Sequence, residues 1–327
     1  MNLEFTKMNG AGNDFIMLDN RQGTLALTHH QIAKLCDRHR GIGADGVLIL
    51  EKGTEAIPLR MRYYNADGHE AEMCGNGARC FTRYVAALLG QLSGTIKFET
   101  KAGIVEGELL KDQEDFSRNS TSAANCCVTP VLDSSGMPYT FRGLRSEAPF
   151  TSSAEASLER SLVKLLMSNP HSIQLAQSVQ LFGQDYAVHS INTGVPHVVI
   201  FVPDINTVSV LKIGRELRHH PRFAPAGTNV NFVQVLDPHS LALRTYERGV
   251  EDETLACGTG VVASALIHHL LSKTPSPINV LVRGGDTLQV DFAADSENLN
   301  TTTPAIKQVT LIGPADFVFT GVYQQLL

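Results

Sequence analysis

ETLACGTGVVAS, residues 253–264, places a cysteine directly before Gly-Thr-Gly and an apolar run, and EMCGNGARCF, residues 72–81, does the same with Gly-Asn-Gly. After Cys74 the apolar residues at 80, 81, 84, 85 and 88 recur at helical spacing, with Gly90 as the stop. The run VVASALI after Cys257 is apolar on every side and predicts a fully buried helix. Each cysteine therefore stands at a helix N-terminus.

The two stretches belong to a longer repeat. When the chain is slid along itself by the 183 positions that separate Cys74 from Cys257, Asn9 falls on Asn192 and Asp14 on His197, so NGAGNDFIM covers NTGVPHVVI. The same offset lays GADGVLIL on AGTNVNFV and, within one residue, RYYNADG on RTYERG. Four matches in one register argue for a duplication. Two similar halves facing each other bring related loops to one cleft.

Between these motifs, short β-branched and aromatic runs predict strands at 3–8, 15–19, 46–51, 59–64, 95–100, 103–109, 185–191, 197–202, 229–235, 240–246, 278–283, 287–292, 306–312 and 316–322. Helices are few: one opens at THHQ, where Thr28 and Gln31 have capping-box spacing, and others follow the two Cys-Gly motifs and the segment from Asp204. The connections are too short for regular βαβ winding, which favours a mixed α+β fold. Residues 112 to 184 differ in texture, with DQEDFSRNSTSAAN, DSSGMP and a helical pattern in SLERSLVKLLM, and read as a linker or elaborated insertion without chemistry.

Bulk composition narrows the function. At 327 residues the length suggests about two domains, and 43% hydrophobic with 18% charged residues is an ordinary globular balance. A formal charge of -6 shows no basic excess for nucleic acid, and no apolar stretch approaches a membrane span. The start, MNLEFTKMNGAGN, has neither the basic nor the apolar region of a secretory signal, so a cytoplasmic location is expected. Six cysteines in so long a chain do not make a disulfide scaffold.

A helix N-terminus stabilises a thiolate, lowering its pKa from about 8.5 toward neutrality, and also binds anions such as a carboxylate. A lone cysteine is usually a small buried hydrophobe, the reading kept here for Cys36, Cys80, Cys126 and Cys127. Cys-Gly-x-Gly repeated in register reverses that preference for Cys74 and Cys257. No set of about four ligands at zinc spacing accompanies them, and a Cys-His hydrolase accounts for one thiol only. Neither G-x-G-x-x-G nor Walker spacing is present, so no cofactor is expected. Two thiols facing one carbon from opposite sides suit proton removal on one face and return on the other, which racemises or epimerises an amino acid.

Through these motifs the chain resembles the diaminopimelate epimerases, pyridoxal-independent enzymes that interconvert LL- and meso-2,6-diaminopimelate in lysine and peptidoglycan synthesis. The carrying residues are MNGAGNDF, YYNADG, MCGNGARC, GTNVNFV, YERG and ACGTG. The resemblance implies two similar halves, each a mixed, strongly curled sheet around a central helix, with the active site in the cleft between them. It implies a first half of about 1–115 plus 313–327 and a second of 116–312, the latter carrying the insertion at about 116–184.

By the same resemblance Cys74 and Cys257 are the acid/base pair, Cys257 taking the proton from the LL substrate while Cys74 donates. Gly75, Asn76, Gly258 and Thr259 hold the reacting carboxylate, and His197 and Glu247 tune or orient the thiols. Asn13, Asn65, Asn229, Glu247 and Arg248 read the substrate's amino and distal carboxylate groups, and Arg248 suits a carboxylate because guanidinium grips it bidentately. No metal or cofactor is implied, the ligand is a small amino acid, and a homodimer is the assembly the resemblance suggests. Where some family members have Gln after GIGxD this chain has Gly46, and where some have Asn before Pro-His it has Val195. The rival readings are a cofactor-independent racemase of proline, hydroxyproline or histidine type, and a thiol redox or ligand-binding protein on the same fold.

Overall fold

The computed structural model describes residues 2–110, 162–294 and 305–324. In the first part of the chain, strands β1 (Leu3–Gly10), β2 (Asn13–Asp19), β3 (Gly46–Lys52), β4 (Leu59–Asn65), β5 (Glu70–Ala71), β6 (Gly94–Thr100) and β7 (Gly103–Leu110) accompany helices α1 (His29–Cys36) and α2 (Gly75–Leu88). The second part contains β8 (Leu162–Leu166), β9 (His171–Leu181), β10 (Gln184–Asn192), β11 (Pro196–Phe201), α3 (Val210–Arg218), β12 (Asn229–Asp237), β13 (Ser240–Glu247) and β14 (Asp252–Thr254). It continues through α4 (Gly258–Ser272), β15 (Ile278–Val282), β16 (Thr287–Ala294), β17 (Ile306–Pro314) and β18 (Asp316–Tyr323).

Strand pairing runs β18–β1–β2–β3–β4–β6–β7–β8 in one curl and β9–β10–β11–β12–β13–β15–β16–β17 in the other. Pairing is antiparallel except for β2 with β3, β4 with β6, β11 with β12 and β13 with β15. The result is a mixed sheet with few helices, the α+β class expected from the strand spacing. Among the described residues no helix is long and apolar enough to cross a membrane.

The repeat read from the sequence reappears in the registers. Arg60 lies opposite Glu99 between β4 and β6, and Leu243 lies opposite Val282 between β13 and β15, each residue displaced by the cysteine offset. Leu165 of β8 pairs with Gly107 and Leu311 of β17 pairs with Val290, so these two leucines hold equivalent places. They also pair with each other, which joins the curls at a local two-fold relation.

Helices α2 and α4 fill the two curls, and side chains from both share one apolar core. Smaller clusters lie under α1 and α3. The Thr28 capping box is formed: Gln31 N–H donates to Thr28 Oγ1, and Thr28 N–H donates to Gln31 Oε1. Gly90 follows the end of α2 with φ +66, the left-handed stop that favours glycine.

Two expectations are corrected. SLERSLVKLLM reads as helical, yet Leu162–Leu166 is a strand. It fits between β7 and β17, burying Val163 and Leu165 while Lys164 and Leu166 point away, so a period of two displaces the helical one. Part of the supposed linker is therefore sheet, including β9. The DQEDFSRNSTSAAN and DSSGMP stretches, with Cys126 and Cys127, lie outside the described residues.

The polar face of α2 is buried as well. Arg79 donates from Nε to Pro314 O at 3.2 Å, and Arg83 donates to Ala315 O, so the turn from β17 into β18 covers the side that amphipathic patterning leaves to solvent. Thr82 Oγ1 donates to Ala78 O at 2.8 Å and is satisfied within the helix.

Candidate active site

The two cysteines occupy the same local position. Cys74 is the N-cap of α2 with φ −134, and Cys257 is the N-cap of α4 with φ −120, both in extended backbone. Neither caps its helix with a side-chain bond, so the free amides of each first turn stay near the sulfur. The N–H groups of Asn76 and Gly77 act on Cys74, and that of Gly260 with the Thr259 hydroxyl acts on Cys257. Thr259 Oγ1 lies 3.6 Å from Cys257 Sγ.

The helix starts meet across the two halves. A Cβ on Gly75 would approach the Gly258 Cα to 3.9 Å, and one on Gly258 would lie 3.6 Å from Asn76 Oδ1. Both are ordinary contact distances, so the helix starts abut; the tighter neighbour of a Cβ on Gly258 is Leu311 Cδ2 at 3.1 Å. Asn76 spans the junction: its Nδ2 donates to Ala256 O at 3.0 Å and to Asn13 Oδ1, while its Oδ1 accepts from Arg79 Nη2 at 2.8 Å. Asn13 in turn donates from Nδ2 to Asp45 Oδ2 at 3.0 Å.

Asp45 belongs to a charged cluster. Arg38 meets Asp14 and Asp45 at 2.7 Å each, and Lys7 meets Asp14 at 2.8 Å. Burial works against the Asp14 carboxylate, but hydrogen bonds and charge from Arg38 and Lys7 outweigh it and hold its pKa at about 2. This fixed anion pair gives Asn13 one orientation.

On the other half, His197 and Asn229 are parallel neighbours at the starts of β11 and β12, and Glu247 ends β13 beside them. Asn229 Oδ1 accepts from the Arg248 N–H at 2.8 Å, and its Nδ2 donates to Pro196 O at 3.3 Å. Glu247 Oε2 accepts from Thr254 at 2.8 Å, and burial raises its pKa. Arg248 Nη1 donates to Ala226 O at 3.1 Å. Asn65 ends β4 and is exposed.

Apart from Asn65, which stands exposed outside both, the sequence-predicted residues fall into two linked groups. Cys74, Gly75, Asn76, Asn13, Gly258, Cys257 and Thr259 form the junction of the helix starts, and His197, Asn229, Glu247 and Arg248 form a row beside it. The reading missed Asp45, Arg79 and Asn231. Signals for them existed: Asp45 precedes Gly46, Arg79 is one helical turn after Asn76, and Asn231 is two residues along the strand from Asn229.

At Gly46 a Cβ would meet Tyr63 Cε2 at 2.7 Å. The Tyr64 carbonyl oxygen, 2.5 Å from the same point, and the Tyr63 ring together fill the space that a side chain at position 46 would take.

The expectation of acidified thiols is not met. Burial pushes Cys74 up to about 11 and Cys257 higher still, and the Glu247 carboxylate adds to both. The helix amides act in the opposite direction, but a dry site penalises a thiolate more than one helix start favours it. Cys36 and Cys80 are buried too and are raised to about 12, in keeping with inert structural thiols.

A pH dependence follows. With its pKa above the working range, Cys74 is a thiol at neutral pH, so its thiolate fraction grows about tenfold per pH unit. Iodoacetamide labelling of Cys74 without substrate should rise about a hundredfold from about pH 7 to about pH 9, read by mass spectrometry of the peptide. A rate already flat at neutral pH would show the helix start winning instead.

Comparison with known proteins places this geometry. Among solved structures, the chain is similar to a probable proline racemase from Agrobacterium radiobacter with bound carbonate, at 14% identity and a TM-score of 0.63 over 99% of this chain and 93% of that one. It is equally similar to a Bacillus anthracis phenazine biosynthesis protein of the PhzF family, at 13% identity and a TM-score of 0.62 over 99% and 100% of the two chains. These likenesses define the class of fold: a mixed curled sheet shared with amino-acid racemases and PhzF-family proteins.

Sequence matches are far more specific. The family model for diaminopimelate epimerase matches residues 5–125 and 189–307. The diaminopimelate epimerase of Chlorobaculum tepidum is 37% identical over 96% of this chain and 98% of its own, and that of Methanocella arvoryzae is 38% identical over 98% and 96%. The chain belongs to the diaminopimelate epimerase family.

Proposed function

We propose that this protein is a diaminopimelate epimerase that interconverts LL- and meso-2,6-diaminopimelate with two thiols and no cofactor. The single observation that carries the reading is the pair of cysteines at the starts of α2 and α4, in equivalent positions of a repeated fold, with the two helix starts abutting. The 32–38% identity to diaminopimelate epimerases supports this substrate over proline, hydroxyproline or histidine.

In this reading Cys257 as thiolate takes the α-proton from the LL centre, the electron pair passes into the α-carboxylate, and the Cys74 thiol returns a proton from the opposite face. The reverse direction exchanges the roles. Burial disfavours either thiolate in the free protein, so Cys257 gives its proton to solvent as the substrate binds, and each turnover then leaves one thiol and one thiolate. First-turn amides of α2 and α4, with Gly75, Asn76, Gly258 and Thr259, receive the charge that develops on the carboxylate. Asn13, Asn65, Asn229, Glu247 and Arg248 read the substrate's amino and distal carboxylate groups, and His197 orients the site from the row beside Cys257.

The division into 1–115 plus 313–327 and 116–312 is part of the same reading; the matched registers support two equivalent halves, while β8 at 162–166 pairs with β7 in the first curl, inside the range this division gives to the second half. A homodimer and a cytoplasmic location belong to the same reading.

Proton NMR of LL-diaminopimelate with reduced protein in D2O tests the function. Loss of the α-proton signal together with appearance of the meso form is the expected result. An intact, reduced protein that exchanges proline and leaves diaminopimelate untouched would overturn the assignment.

A further inference from the structure

We infer that Asn231 is a positioning residue, one that fixes His197 as a neutral imidazole carrying its proton on Nε2. The inference rests on the functional reading of His197 given above and adds the residue that sets its protonation.

The hydrogen bonds leave one arrangement. Asn231 Nδ2 donates to Val198 O at 3.0 Å, and a carbonyl can only accept, so the amide nitrogen must face that way. Its oxygen accepts from Thr245 Oγ1 at 3.0 Å, which agrees. The second hydrogen on Nδ2 then points at His197 Nδ1, 3.1 Å away. A protonated Nδ1 would set two hydrogens against each other, so Nδ1 is the acceptor and the ring proton sits on Nε2.

His197 is buried, and its Nε2 has no partner among the described residues. The same histidine lines a cavity of about 300 Å³ with Asn192, Pro196, Arg222 and Thr228, a space that neither Cys74 nor Cys257 lines. A buried donor without a partner is costly, and a substrate acceptor would satisfy it. Burial, with the Arg248 charge, holds the imidazole neutral down to about 3, so the donor persists through the physiological range.

Asn231 is also tied to the helix that carries Cys257. A Cβ on Gly260 would fall 2.4 Å from Asn231 Oδ1, so the first turn of α4 packs directly on this amide. The His197 ring is thereby held in a fixed relation to the thiol end of α4. Asn231 lies two residues beyond Asn229 on β12, where alternation sends it to the same face.

The first test is long-range proton–nitrogen NMR of the protein labelled with ¹⁵N-histidine, with the His197 signals assigned by their loss in His197→Gln. The expected pattern is a protonated Nε2 and an unprotonated Nδ1, unchanged from about pH 6 to about pH 9. A proton on Nδ1, or titration in that range, overturns the proposal whether or not the protein acts on diaminopimelate. The second test is Asn231→Asp, which is isosteric but can only accept. It should move the proton to Nδ1 or make His197 titrate, and should lower kcat/KM by roughly 10–100-fold with a new pH dependence. Unchanged kcat/KM beside a moved proton would show that Asn231 does not position the reaction. If Asn231→Asp does not fold, the spectrum of the unaltered protein still decides the tautomer.

Discussion

Cys74→Ala should abolish meso formation from LL-diaminopimelate while leaving exchange of its α-proton with solvent deuterium. In the proposed assignment Cys257 still removes that proton, but no group remains to return one from the opposite face. The carbanion is then quenched from the side on which it formed, and configuration is retained. Cys257→Ala should behave in mirror fashion, exchanging the meso substrate at its epimerisable centre and leaving the LL form intact. Loss of one positioned acid or base costs about 10²–10⁴-fold, and epimerisation needs both, so its loss should reach the upper end. Deuterium incorporation and stereochemistry, followed together on folded variants, check this. Epimerisation surviving in either variant at more than about a tenth of the original rate would remove the two-thiol assignment.

Glu247→Gln is expected to move thiol reactivity and turnover in opposite directions. The Glu247 carboxylate opposes ionisation of both cysteines, following burial as the next cause at Cys257. Removing its charge should make alkylation of the thiols without substrate about threefold to tenfold faster at a given pH. If the same carboxylate receives the substrate ammonium, its loss removes a charge-assisted hydrogen bond, and kcat/KM should fall by about 10²-fold. Iodoacetamide kinetics and the epimerase assay on one preparation separate the effects. Faster labelling with undiminished kcat/KM would leave Glu247 an electrostatic neighbour with no part in binding.

Much of the site is legible in sequence because its chemistry depends on local geometry. A cysteine before Gly-x-Gly at a helix start needs only the adjoining residues, and Cys74 and Cys257 stand as N-caps where that reading puts them. Strand periodicity is similarly local, and the runs at 46–51, 59–64 and 278–283 became β3, β4 and β15 with ends moved by a residue or less. The direction of the thiol pKa shifts was misread because a helix start is visible in sequence and burial by distant parts of the fold is not. Gly46 could be flagged as a departure from other family members, but the Tyr64 carbonyl and Tyr63 ring that occupy its space come from the neighbouring strand.

By itself, the sequence determined the repeat at 183 positions, the strand-dominated α+β class and the two cysteine helix starts, because each is written in short-range spacing. Tertiary structure alone decided which polar residues are buried and what they hold. Arg79 and Arg83 look like the solvent face of α2 until the turn from β17 to β18, more than 200 residues later, closes over them. The strand at Leu162–Leu166 has a helical look until β7 and β17 supply its partners on both sides. Asn231 is one more strand asparagine until Val198, Thr245 and His197 fix the direction of its amide. In each case the deciding energy is the cost of leaving a polar group or a strand edge unpaired, and the partners that remove that cost are set by the fold rather than by neighbours in sequence.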